Sequence, residues 1–214
     1  MRVRIHRGSK EIGGNCIELE SAGKHILFDL GMPLTAANPD DVCLPEVSGL
    51  MDGDDPNFLG IVISHPHQDH YGLLPKAHPA TPVFIGKEAH AILEASAPFS
   101  PSGLHLDHVT HYRDKSPFDI GRFRITPFLM DHSAFDAYAL LVEANGKALF
   151  YTGDFRAHGR KAGAFKQLLS GGPTGVDVLL MEGTNIGHQS NEGRLITESQ
   201  LKNEIRASLA KTEG

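Results

Sequence analysis

Four side chains of metal-binding types lie within six residues of this 214-residue chain, directly after a short apolar run. The segment ISHPHQDHYG, residues 63–72, contains His65, His67, Asp69 and His70. The run Leu59–Ser64 is typical of a strand covered on both faces, and in extended backbone residues two apart point to the same side. His65 and His67 can therefore converge on one metal ion, while Asp69 and His70 can face a second ion beside it. Because crowded imidazoles are costly to bury without a partner, we interpret this cluster as a metal site.

The charge balance of the chain argues against a broadly basic surface. The formal net charge is −6 and the isoelectric point is about 6.1, so nucleic acid would have to bind through a local cluster of Lys and Arg. Cys16 and Cys43 make neither a disulfide framework nor a thiolate zinc site, which indicates a reducing compartment. No signal peptide is evident, and no apolar run approaches the roughly 20 residues of a membrane span. We therefore predict a cytoplasmic protein with no membrane association.

Strand-like and helix-like segments follow one another without a linker between the two halves of the chain. In the first half we predict strands at Val3–His6, Cys16–Leu19, His25–Asp29, Leu59–Ser64 and Pro82–Ile85, one or two helical turns over Tyr71–Ala77, and a helix at Lys87–Ser96. In the second half we predict strands at Arg122–Phe128, Ala137–Ala144 and Lys147–Thr152, a buried strand at Val176–Met181, and helices at Ala162–Leu169 and Ile196–Lys211, the last of them amphipathic. Mixed strands and helices of this kind predict a layered α/β sandwich.

The segment at residues 65–70 resembles the H-x-H-x-D-H signature of the metallo-β-lactamase superfamily. Further segments agree with that superfamily in order and context: HILFDLG contains Asp29, FLMDHSAFDAY contains His132, and LFYTGDFRAHG contains Asp154. The resemblance implies an α/β fold class, the αββα sandwich with two mixed β-sheets, over residues 1–214 as one domain.

The resemblance also implies roles for these residues. One metal would be held by His65, His67 and His132, and the other by Asp69 and His70, with Asp154 bridging the two. Asp69 and Asp154 would be the catalytic carboxylates, with Asp69 orienting the nucleophile, and Asp29 would support a ligand from behind the site. The superfamily usually adds a late histidine, but neither His158 nor His188 stands at the expected strand end, so neither is assigned.

The ligand types predict the metal. Nitrogen and oxygen donors without thiolate suit Zn²⁺, with Mn²⁺ or Fe²⁺ as alternatives. Two such ions would share a water and lower its pKa toward neutrality. Because the second group lacks one ligand, we expect two zinc sites of unequal strength, the second of them weak.

Three segments resemble the RNase J and β-CASP nuclease branch of the superfamily. They are the opening GSKEIGGNCIELE, the DHSAFDAY stretch, and VLLMEGTNIGHQSNEGR, where Glu182 would be the acidic residue of the first β-CASP motif. An equally weighted reading of Glu182 is a carboxylate that caps the turn after a strand. In that family an inserted β-CASP domain and further strands follow, so we expect residues 1–214 to lack them and to be the first part of a longer protein.

The branch implies hydrolysis of RNA or another phosphodiester. An alternative within the superfamily is a small-molecule ester or thioester hydrolase of the lactonase or glyoxalase II type. The nuclease predicts basic residues around the cleft, whereas the ester hydrolase predicts an apolar acyl pocket. A third alternative is an inactive metal-binding module that serves in an assembly.

Overall fold

Two mixed β-sheets form the centre of the computed structural model, which describes residues 1–99, 104–186 and 196–211. The first sheet has the order β1 (Arg2–Arg7), β2 (Cys16–Ser21), β3 (Lys24–Phe28), β4 (Phe58–Val62), β5 (Val83–Gly86) and β6 (Val109–Tyr112). Its strands are antiparallel from β1 to β3 and parallel from β3 to β6. The second sheet contains β7 (Phe118–Ile120), β8 (Phe123–Leu129), β9 (Tyr138–Ala144), β10 (Lys147–Tyr151) and β11 (Val178–Leu180), in the order β11-β10-β9-β8-β7. Only the β10–β11 pair of this sheet is parallel.

Four helices complete the layers: α1 (Gln68–Tyr71), α2 (Lys87–Ser96), α3 (Ala162–Gly171) and α4 (Glu198–Leu209). One apolar cluster joins the two sheets and includes Phe28 and Leu140. A second lies on the other face of the first sheet and includes Leu93 of α2, while a third packs Phe165 of α3 near Phe150 of the second sheet. This arrangement confirms the predicted αββα sandwich with two mixed sheets. No helix within the described ranges is long and apolar enough to cross a bilayer.

The hairpin between β9 and β10 follows directly from its turn residues. Asn145 and Gly146 have φ of 51° and 67°, the left-handed pair that a tight hairpin with matching strand twist requires. Asparagine and glycine adopt this conformation at low cost, so the register that pairs Lys147 with Ala144 is set locally.

The strand β11 is less buried than the sequence predicts, and helix α4 begins later. The strand predicted to be buried at 176–181 is instead the short edge strand β11, in which the side chain of Leu179 is 57% exposed. It is exposed because β11 extends the second sheet beyond β10 and, among the described residues, has no neighbour on its other side. Helix α4 begins at Glu198 rather than Ile196, because Thr197 forms a reciprocal capping box with Gln200.

Two strands were not predicted, β6 and β7. Each has only three or four residues and contains polar side chains, so neither gives a periodic signal of its own. β6 is specified by its parallel pairing with β5, and β7 by its hairpin with β8.

A buried carboxylate fixes the start of α2. Oδ2 of Asp136 accepts hydrogen bonds from the backbone N–H groups of Glu88 and Ala89, both at 3.0 Å. We expect Asp136→Ala to lower the free energy of unfolding by about 1–2 kcal/mol, because two helix N-terminal donors lose their acceptor. Urea denaturation followed by far-UV circular dichroism measures the change. The control is Asp119→Ala, at an exposed position, which should change the free energy of unfolding by no more than about 0.5 kcal/mol. Equal urea midpoints for the two variants would contradict the prediction.

Candidate metal centre

The candidate site lies where strands β4, β8 and β10 end. The structure brings all six predicted ligands into this region: His65, His67, Asp69, His70, His132 and Asp154. Two follow β4, two lie on α1, and one each follows β8 and β10. The backbone C=O of Ser64 accepts a hydrogen bond from the N–H of Tyr138 at 3.0 Å, which ties the end of the first sheet to the second. Loops from both sheets therefore meet at one edge of the sandwich.

Three imidazoles face one another in the first group. Nδ1 of His67 is 3.2 Å from Nε2 of His65 and 3.1 Å from Nε2 of His132. The ligand atoms of the three residues all lie within 4.8 Å of one another. One proton cannot satisfy three converging ring nitrogens, so this arrangement fits a shared cation.

A second group overlaps the first. It consists of His65, His70 and Asp154, whose ligand atoms also lie within 4.8 Å of one another. Oδ1 of Asp154 is 3.4 Å from Nε2 of His70, and its Oδ2 is 3.8 Å from Nε2 of His132. Asp154 thus reaches both groups through different oxygens, which is the geometry expected of a bridging carboxylate. Oδ2 of Asp69 lies 3.7 Å from Nε2 of His70, at the edge of the second group.

Burial keeps the first group neutral. It lowers the pKa of His65 well below its ordinary value, and the neighbouring histidines lower it further. Burial also lowers the pKa of His132 to about 4, although Asp154 opposes that shift. Neutral imidazoles present a free lone pair, which is the form that binds metals.

His70 behaves differently because two carboxylates face it. Burial lowers its pKa, but the charge of Asp29 and a hydrogen bond with Asp154 outweigh burial and raise it to about 10. His70 is therefore the protonated imidazole of the metal-free centre, placed between two acceptors.

Asp29 supports the site from behind. Its fully buried carboxylate accepts from Nδ1 of His70 at 2.8 Å and from the hydroxyl of Tyr151 at 2.7 Å, both on Oδ2. Ser64 donates its backbone N–H to Oδ1 at 2.7 Å and its hydroxyl to Oδ2 at 2.9 Å. Asp29 also has φ of 57°, a left-handed conformation that aspartate tolerates better than most residues. The carboxylate fixes the His70 ring so that its other nitrogen, Nε2, faces Asp154.

Glu182 contacts the loop that carries Asp154. Its Oε1 accepts the backbone N–H of Phe155 at 2.7 Å, and its own N–H donates to the Thr152 hydroxyl at 3.2 Å. The carboxylate therefore binds the backbone directly beside Asp154, in the loop that follows β10.

Sequence reasoning missed several supporting residues. Oδ2 and Oδ1 of buried Asp131 accept the backbone N–H groups of Gly159 at 2.7 Å and Lys161 at 3.2 Å, which holds the loop after Asp154 against the segment of His132. Nδ2 of Asn15 lies 3.0 Å from Nε2 of His70. The only sequence signal for Asp131 is that it directly precedes a predicted ligand, and Asn15 has no local signal.

No late histidine joins the site within the described residues. His158 is in neither ligand group, and its backbone C=O instead accepts the N–H of Glu198 at 3.0 Å. His188 lies outside the described residues.

A cavity of about 630 Å³ opens beside His132. Its basic lining residues are Arg156, Arg160, Lys161, Lys202 and Arg206, and its acidic ones are Asp131 and Glu198. Its apolar lining includes Ala134, Phe135, Leu201 and Ile205. The cavity therefore combines an apolar surface with an excess of positive charge, although the whole chain is acidic.

Comparisons with known proteins agree with this fold. A family model described as the beta-lactamase superfamily domain matches residues 47–203, which is most of the chain. The chain is 28% identical over 198 residues to Ribonuclease J of Helicobacter pylori, covering 86% of this chain and 27% of that protein. It is 25% identical over 216 residues to cleavage and polyadenylation specificity factor subunit 3 of Dictyostelium discoideum, covering 91% of this chain and 27% of that protein. The chain thus spans about a quarter of the length of these two relatives.

A solved structure shows the same fold. The crystal structure of a protein of unknown function from Enterococcus faecalis V583 superposes with a TM-score of 0.81 at 24% identity. The superposition covers 97% of this chain and 57% of that one.

Proposed function

Because this chain belongs to the beta-lactamase superfamily, we propose that it is a metal-dependent hydrolase of phosphodiester bonds, a ribonuclease of the RNase J/β-CASP type. The observation that carries the proposal is the pair of overlapping ligand groups, joined through His65 and Asp154 at the ends of strands from both sheets.

The residues present fit two divalent ions. His65, His67 and His132 would hold one, and His70, Asp69 and Asp154 would hold the other, with Asp154 shared. All the donors are nitrogen or oxygen, and we propose Zn²⁺, with Mn²⁺ or Fe²⁺ as alternatives. Bound ions would supply electrostatic activation of a water molecule and stabilise the negative charge that develops on the substrate.

The protein's own side chains supply position and charge. Asp29 keeps a proton on Nδ1 of His70, so that Nε2 points into the site. Asp69 has a carboxylate oxygen at the site edge that can accept a proton from the attacking water and so orient it. Asp131 and Glu182 accept backbone N–H groups of the loop that follows Asp154 and so limit its movement.

Two observations favour a phosphodiester substrate. The cavity beside His132 contains five basic side chains, as the nuclease alternative predicts for the cleft. The matched relatives include proteins named Ribonuclease J, and RNA is therefore the substrate that we propose.

The apolar lining of the same cavity favours a second candidate, an ester or thioester hydrolase. Assays of the zinc-loaded chain on bis(p-nitrophenyl) phosphate and on S-lactoylglutathione separate the candidates, with zinc content measured in parallel. We expect turnover of the phosphodiester. Turnover of the thioester alone would favour the second candidate, and zinc binding without turnover of either would favour the inactive module.

We expect the two metal positions to differ in affinity. The first has three imidazoles, enough for a tetrahedral ion with one open position. The second has only His70 and Asp69 of its own, shares Asp154 with the first, and lies close to the first positive charge. Titration of the metal-free chain with zinc in a calorimeter should therefore show two separate binding steps. His67→Ala should remove the tighter step, because it takes one of three ligands from that position.

The matched control for this titration is His105→Ala, a surface histidine with 73% of its side chain exposed. It should retain both steps. Two equally tight steps in the unmodified chain would show that a further residue completes the second group.

A further inference from the structure

The cavity beside His132 contains cations that no acidic side chain in the described ranges neutralises. Arg156 pairs with Glu198 at 2.7 Å, and Lys161 donates to backbone C=O groups at Ala134 and Phe135. The other three cations, Arg160, Lys202 and Arg206, are exposed and have no ion pair or side-chain hydrogen bond to any residue in the described ranges. Exposed cations gathered at one cavity of an acidic chain indicate an anionic ligand.

Two of these free cations have a regular spacing. Lys202 and Arg206 are four residues apart on α4, so they lie on the same face of the helix, about 6 Å apart along its axis. That spacing is comparable to the distance between successive phosphates of an extended nucleic acid strand. Leu201 and Ile205 have the same four-residue spacing and also line the cavity, beside the charges.

An aromatic ring in the lining of the same cavity faces solvent. Phe135 is 66% exposed and lies three residues after His132. The ammonium group of Lys161 donates to the C=O of Phe135 and lies 5.9 Å from the centre of its ring, which fixes the loop that presents it. A held, exposed ring beside free cations has the features of a base-stacking platform in a single-strand binding groove.

We propose that this cavity binds the substrate strand next to the reacting phosphate. Lys202, Arg206 and Arg160 contact backbone phosphates, and Phe135 stacks on an unpaired base. The inference rests on the proposed function in naming RNA. It adds which residues hold the strand, and it requires that the strand be unpaired there, since a base inside a duplex cannot stack on a side chain.

Binding can be measured separately from hydrolysis. The probe is a fluorescein-labelled single-stranded RNA of about 12 nucleotides, a length within the range that such grooves cover. Anisotropy titrations at several salt concentrations would be made with the zinc-loaded chain, and electrophoresis after each titration would show that the probe is intact.

Lys202→Gln/Arg206→Gln should weaken binding and reduce the slope of log affinity against log salt by about 1.4, which corresponds to two lost phosphate contacts on a single strand. The matched control is Arg122→Gln/Lys166→Gln, which removes the same charge from exposed positions outside the cavity. Its slope should be unchanged. Equal losses in the two double variants, or no loss in the first, would overturn the proposed cavity.

Phe135→Ala tests the stacking platform. It should weaken binding of the single strand about tenfold and leave the salt slope unchanged, because it removes no charge. The same RNA annealed into a duplex should bind more weakly than the single strand, and Phe135→Ala should not weaken it further. Loss of duplex binding in Phe135→Ala would overturn the single-strand assignment.

The two proposals fail in different assays. Salt-dependent RNA binding that needs Lys202 and Arg206, together with no turnover of bis(p-nitrophenyl) phosphate, would support the cavity and reject the hydrolase. Turnover of bis(p-nitrophenyl) phosphate, together with RNA binding that does not depend on Lys202 and Arg206, would reject only the proposed cavity.

Discussion

Replacing Asp154 by asparagine should lower the rate of phosphodiester hydrolysis by at least about a hundredfold while the fold persists. The carboxylate approaches both ligand groups, with Oδ1 3.4 Å from His70 and Oδ2 3.8 Å from His132. Asparagine keeps the size of the side chain but removes the charge that would neutralise two cations, a contribution of several kcal/mol to the barrier. Steady-state turnover of bis(p-nitrophenyl) phosphate measures the effect, with circular dichroism to verify folding.

The matched control is Asp107→Asn, which makes the same chemical change at a side chain that is 68% exposed. It should retain full turnover. Wild-type turnover in Asp154→Asn would contradict the two-metal arrangement, whereas loss of the circular dichroism signal would identify Asp154 as a structural residue.

Asp29→Ala should lower the free energy of unfolding by about 3–5 kcal/mol. The carboxylate is fully buried and accepts from His70, Tyr151 and two groups of Ser64, so its removal leaves several buried donors and a buried imidazole without a partner. Zinc affinity should fall by about 10–100-fold, because His70 loses the acceptor that orients its ring. Urea denaturation of the metal-free chain, followed by far-UV circular dichroism because the sequence has no Trp, measures the stability change.

Tyr151→Phe separates the contributions to that loss. It removes one donor to Asp29 and keeps a ring that can stack on Phe28, whose centre is 5.6 Å away. We expect a cost of only about 1 kcal/mol. Equal destabilisation by Tyr151→Phe and Asp29→Ala would show that the tyrosine, rather than the carboxylate, holds this part of the site.

The six residues of the predicted metal site could be named from the sequence because four of them form one local cluster and the other two, His132 and Asp154, agree with the superfamily in order and context. The local cluster follows a buried strand directly and spans only six residues, with His65, His67, Asp69 and His70 among them. His132 and Asp154 each follow a strand whose alternating pattern or hairpin turn is evident in the sequence. The fold class followed for the same reason, since strand and helix periodicities are short-range properties.

Asn15 and Asp131 could not be predicted as supporting residues, because their partners are distant in sequence. Asn15 contacts His70 across 55 positions, and nothing in the opening segment indicates that contact. The burial of β11 was predicted wrongly for a related reason: a short, mostly apolar segment does not reveal whether another strand will lie beside it. The hydrophobic pattern predicts the strand, whereas the strands that lie beside it determine how exposed its side chains are.

The hydrogen bond between Tyr151 and Asp29 joins residues 122 positions apart, and this has a consequence for the order of events during synthesis. Closing so long a loop is entropically unfavourable until both sheets have formed, so the contact belongs to a late stage of folding. A nascent chain that ends before Tyr151 can present the histidines at 65, 67 and 70, but it lacks both the hydroxyl that anchors Asp29 and the carboxylate of Asp154. We therefore expect the proposed metal site to reach its full affinity only after Tyr151 and Asp154 have been synthesised and the sandwich has closed.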